Sequence, residues 1–221
     1  MRSGAQSMLR FSLILLALAN LAMLGKLLWP WQEVPNLPLN GATGIDPAVV
    51  LVGYIGLIFW LAASIQEPIQ KALRTASLLG LLAGLLLIAE ITIKAQTEVP
   101  AQSGTVVAVL LAAVALLWGI SGLRGAQNTG NGGIGPLAGL WSAMVSGLVA
   151  AAGIFGQALF SGPLPVSQDP WRQYEGLAVG NSATQALVFT LNSATFYLLV
   201  GPLAGAAIGL FFSLFAKDKQ N

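Results

Sequence analysis

From Gln185 to Phe215 the chain reads QALVFTLNSATFYLLVGPLAGAAIGLFFSLF, without a charged residue, and Gly201, Gly205 and Gly209 follow one another at intervals of four. In water such a run has no rationale, because each glycine in a helix interior costs up to about 1 kcal/mol relative to alanine. In lipid the balance changes. Hydrocarbon gives helices no hydrophobic reason to associate, and small residues become useful because they let two backbones approach closely. A helix over the whole run reaches about 45 Å at ~1.5 Å per residue, against a hydrocarbon core of ~30 Å. It therefore has to tilt, protrude or bend, and Gly201-Pro202 is where a bend falls.

The remainder of the chain agrees with a membrane setting. Charged residues make up 8% of it and apolar residues 56%, where soluble domains carry about 25% charge. Apolar runs read as spans over 11–28, 48–65, 76–93, 106–123, 137–160 and 186–215, each near or above the ~20 residues a crossing needs. Pro30–Pro47, Gln66-Glu67-Pro68, Thr97–Pro100 and the glycine-rich 125–133 read as breaks. Between Phe160 and Ala183, Asp169-Pro170 followed by Trp171, Tyr174 and Leu177 suggests a short interfacial helix. Ala17-Leu18-Ala19 resembles a signal-peptidase site, but the apolar run continues past it to the aromatic pair Trp29 and Trp31, so the first segment is read as a retained span.

Six spans with the amino terminus inside place Arg2, Arg10, Lys71, Arg74, Arg124, Lys217 and Lys219 in the cytoplasm, and Lys26, Lys94 and Arg172 outside. Seven against three follows the positive-inside rule. The expected fold is thus a single all-α polytopic membrane helix bundle of six transmembrane helices, both termini cytoplasmic, in the cell membrane. Its expected partners are the bilayer, itself or another membrane subunit, and no nucleic acid, since the basic residues are scattered singly.

Taking ~100° per residue, Gly139, Ser142, Ser146, Ala150, Gly153 and Gln157 share one stripe of the fifth span. On the last span Asn181, Gln185, Asn192 and Thr195 form a polar stripe, with Gly201, Gly205 and Gly209 roughly opposite. The expected arrangement sets the fifth and sixth spans together and leaves the glycine seam for another helix, with Gly80 and Gly84 as one match, or for a second copy of the chain. Glu90 is the one acid inside a span, near its outer end, with Lys94 four residues on and Lys26 as another candidate partner. Glu90, Gln157, Gln185, Asn192 and Thr195 are accordingly candidates for a polar pathway. Interhelical hydrogen bonding and a surface-reaching or paired Glu90 are the plainer alternatives.

Catalysis finds little to work with. Cysteine and histidine are both absent, which removes the usual thiol nucleophile, general base and soft metal ligands. Gly130-Asn131-Gly132-Gly133-Ile134-Gly135 has dinucleotide-motif spacing but no preceding strand. Gly119-Ile120-Ser121-Gly122 resembles the Gly-x-Ser-Gly nucleophile motif of rhomboid intramembrane proteases, whose core also has six spans. That resemblance implies a histidine on the sixth helix, and this chain has none. Asp46, Asp169 and Asp218 all lie in expected loops or the tail. The expectation is a non-enzymatic protein with no cofactor and no metal, an accessory or assembly subunit or a self-associating scaffold, the alternative being a small-solute or ion transporter or channel.

Overall fold

In a computed structural model, which describes residues 3–29, 47–64, 67–96, 100–160 and 182–216, the chain forms six helices. They are α1 (Ser3–Leu28), α2 (Pro47–Ser64), α3 (Glu67–Gln96), α4 (Pro100–Thr129), α5 (Ile134–Phe160) and α6 (Ser182–Ser213). Five of them, all but α2, are long and apolar enough to cross a membrane; α2 supplies a shorter apolar stretch, Pro47–Phe59.

Their outward faces carry large apolar side chains, among them Leu15, Val52, Leu82, Leu85, Val109 and Leu203. Soluble monomers rarely expose so much contiguous apolar surface. This is the exterior that a multi-pass helical membrane protein presents to lipid.

α5 is the axis of the bundle. It packs against α1, α3, α4 and α6, while α2 packs on α1 and α6. Within its apolar stretch 72% of the residues are buried, against 28% in α1, α4 and α6. The reason is in its side chains: Gly135, Ala138, Gly139, Ser142, Ala143, Ser146, Gly147, Ala150 and Ala151 are all buried. Small residues over more than half of the circumference let several neighbours approach at once.

Several boundaries differ from the sequence expectation, and α1 begins at Ser3 rather than at Phe11. α3 begins at Glu67, nine residues before the expected span, because Pro68 falls in its first turn, where its missing N–H is not needed. α4 starts at Pro100 and runs on through the first half of the glycine-rich 125–133 to Thr129. There Gly125 and Ala126 are buried, and a Cβ on Gly125 would lie 2.6 Å from the Ala138 Cβ, so contact with α5 holds the helix past Arg124. Only Gly130–Gly133 remain as the turn, with Gly130 at φ 65°. The Gly133 N–H donates to Asn131 Oδ1 at 2.9 Å, and the Ile134 N–H to the Asn131 carbonyl. α6 is continuous through Gly201-Pro202. The expected interfacial helix, Asn181, Arg172 and the carboxy-terminal lysines lie outside the described residues, as does the side chain of Gln185.

Candidate functional site

Two of the interhelical polar contacts fall on adjacent residues of α6. Pro202 lacks an N–H, so the Leu198 carbonyl four residues earlier has no intrahelical donor. In a membrane interior, where no water can supply a donor, such a carbonyl has to be satisfied by another part of the protein. The Tyr54 hydroxyl, reaching from α2, donates to this carbonyl. One residue before, the Tyr197 hydroxyl points to α3 and donates to Glu90 Oε2 at 2.7 Å. Adjacent residues of α6 are therefore tied to two different helices.

Glu90 is 1% exposed, although its place near an outer boundary suggested a side chain in reach of water. α3 continues to Gln96, so the carboxylate is enclosed by the bundle rather than left at a helix end. Its Oε1 lies against the Lys94 ammonium, and that lysine is 55% exposed. The ion pair is thus made along α3, and Lys26 is not its partner. A charge-assisted bond from Tyr197 and the ammonium together offset the desolvation of the carboxylate.

The other buried polar groups work singly. Asn20, fully buried on α1, donates through Nδ2 to the carbonyls of Leu16 (2.9 Å) and of Leu148 on α5 (3.1 Å). Trp118 Nε1 donates to Ser146 Oγ at 3.2 Å and Trp141 Nε1 to Ser77 Oγ at 2.8 Å, joining α4 to α5 and α5 to α3. Thr195 donates back to the Leu191 carbonyl within α6. Asn20 Oδ1, Ser142 Oγ and Asn192 Oδ1 are buried without a hydrogen-bond partner. Gln157 lines a shallow cleft of about 370 Å³ between α3 and α5 with Ile88, Ile91, Thr92 and Gly153.

The glycines are disposed otherwise than the sequence suggested. Gly205 and Gly209 lie against α5, the helix expected on the other side of α6, and Gly209 also meets a further helix, α4. A Cβ on Gly205 would collide with the Ala143 Cβ and come within 2.7 Å of the Gly139 carbonyl oxygen. One on Gly209 would lie 2.7 Å from the Gly135 carbonyl oxygen, and one on Gly122 of α4 would lie 2.5 Å from the Gly209 Cα. Gly201 is looser, with its nearest neighbour, the Ala143 carbonyl oxygen, at 3.9 Å. Gly80 and Gly84 pack on Ser142, Val145 and Val149 of α5, not on α6. Gly153 stands against Ile88 of α3.

Both chemical-looking motifs have structural employment. Ser121 donates to the Ala138 carbonyl at 2.9 Å, and its flanking Gly119 and Gly122 receive Phe212 and Gly209 of α6. The dinucleotide-like spacing is the α4–α5 turn. Among the described residues no three His, Cys, Asp or Glu side chains gather to hold a metal.

Sequence reasoning passed over Asn20, Tyr54 and Tyr197. A lone asparagine within an apolar run was the available signal for Asn20, since polar side chains in lipid turn toward protein. For Tyr54 the signal was Pro202 itself, which announces a carbonyl in need of a donor. Comparison with protein-family models, with characterised proteins and with solved structures gave no significant match.

Proposed function

We propose that this chain is a non-enzymatic membrane protein whose work is assembly: an accessory subunit or a self-associating scaffold, one transmembrane domain of six spans with both termini in the cytoplasm. The observation that carries this reading is how the buried polar groups are used. Tyr54, Tyr197, Asn20, Trp118, Trp141 and Ser121 each link one helix to another by a hydrogen bond. With Gly205 and Gly209 filled from within the chain, a partner has to meet another face.

Purification from native membranes in mild detergent, with identification of every co-purifying chain, tests this. A partner at fixed stoichiometry, or a homo-oligomer, supports it. Cysteines at Gly53 and Gly56, exposed on α2 with nothing near their Cβ positions, provide crosslinking sites in intact membranes. A chain that stays monomeric and alone in both experiments overturns the proposal.

A second reading, a small-solute or ion carrier, is favoured by one specific feature: a carboxylate buried between membrane helices, on a bundle that also leaves Asn192 Oδ1 unpaired. Flux in liposomes that survives Glu90→Gln, Asn192→Leu and Gln185→Leu removes that pathway.

A further inference from the structure

We propose that Glu90 is a proton-exchange site, with the Lys94 ammonium as its displaceable counter-ion and Tyr197 as the contact through which α6 senses its charge. This goes beyond the proposed function, since it holds in a scaffold and in a carrier alike.

The two oxygens of the carboxylate are held differently. Oε2 accepts a hydrogen bond from Tyr197, a side chain anchored on another helix. Oε1 is held by the Lys94 ammonium, which comes from the same helix. That lysine is more than half exposed while the glutamate is almost wholly buried. The ammonium therefore leaves toward water without losing hydration, whereas the carboxylate has no such exit. Once the counter-ion withdraws, an isolated buried carboxylate is far costlier than a neutral acid. The balance is simple: Glu90 takes one proton from the aqueous phase at the Lys94 end, and Lys94 keeps its charge and turns outward.

Among the described residues of the helices packed around Glu90, no other charge lies close by. α5 and α6 carry none over Ile134–Phe160 and Ser182–Ser213, and that of α4 is Arg124, toward its far end. On α3 itself the next is Arg74, about 24 Å back at ~1.5 Å per residue. A divalent metal would need further acidic or imidazole ligands, and no such group forms among the described residues. The proton is what this donor set can take.

The consequence is felt on α6. A hydrogen bond to a carboxylate is roughly twice as strong as one to a neutral acceptor. Protonation thus weakens the hold of α3 on Tyr197, while the neighbouring Tyr54 bond to the Leu198 carbonyl is untouched. The segment of α6 just before Pro202 passes from two tethers to one.

Infrared difference spectroscopy of the full-length protein in lipid vesicles, between alkaline and acidic buffer, tests this directly. The eight acidic side chains all contribute to the protonated-carboxyl region on acidification, so the Glu90 band is the one present in wild type and missing from Glu90→Gln in the difference between their spectra. Lys94→Gln should gain it with less acid than wild type, because the ammonium that favours the ionised form is gone. Tyr197→Phe, which keeps the acid, should shift the same way by less. Spectra in which wild type and Lys94→Gln gain no more protonated carboxyl than Glu90→Gln, throughout the range in which all stay folded, make the pair a permanent structural bridge and overturn the proposal.

Discussion

The two halves of α6 are held by unlike chemistry. Before Pro202 the helix is caught by long side chains, Tyr54 reaching to Leu198 and Tyr197 reaching to Glu90. After it the backbone itself is the contact surface, with Gly205 and Gly209 laid against Gly135 and Gly139 of α5 and Gly122 of α4. Side-chain tethers can swing and still hold, each at about 0.6 to 1.7 kcal/mol as measured for membrane hydrogen bonds. Backbone contact has no such slack, because an added methyl meets peptide atoms that cannot rotate away. One half is built to tolerate displacement and the other to forbid it, and the boundary between them is the residue that cannot donate a hydrogen bond.

The sharpest way to break this contrast is Gly139→Leu. Its Cβ would collide with the Gly205 carbonyl oxygen, so a loss of about 3 kcal/mol or more is expected from overpacking. Unfolding by steric trapping in bicelles measures it, and a near-neutral result would mean that the carboxy-terminal half is not close-packed. Tyr197→Phe should cost about 1.5 kcal/mol by the same method, as it strips a buried carboxylate of its hydrogen bond.

Tyr54→Phe is expected to cost about 1 kcal/mol, with faster amide exchange around Leu198. Most of that cost should vanish in a Pro202→Ala background, where residue 202 regains an N–H to offer the Leu198 carbonyl. Additive losses in that double-mutant cycle would detach Tyr54 from the proline. Gly201→Ala closes the series with a change within about 0.5 kcal/mol, the nearest neighbour lying 3.9 Å away. A large loss there would show that the close-packed half begins earlier than Gly205.

Element positions were largely legible in the sequence because a membrane imposes length and apolarity together. The run over 137–160 and α5 at Ile134–Phe160 differ by three residues. Boundaries failed where contact overrides local signals: Gly125 reads as a breaker, yet packing on Ala138 keeps it helical. Which faces meet was much less legible. In water the apolar stripe of a helix names its buried side, but a bundle apolar on both sides gives no such cue. Glycine spacing marks a close approach without naming the partner, which is why Gly205 and Gly209 suggested a neighbour other than α5 and instead meet Gly139. The partner of Glu90 was hidden for a different reason. Tyr197 stands 107 positions away and only the tertiary fold brings it near, whereas Lys94 was readable from helical spacing alone.

The Gly130–Gly133 turn bears on how the bundle is made. Four residues give α4 and α5 no slack to enter lipid one after the other, so they cross as a hairpin, with Gly125 already opposite Ala138. α6 fits against both of them, its Gly205 and Gly209 seated on the bare peptide of α5 and Gly209 beside Gly122 of α4, like the final stave of a cask.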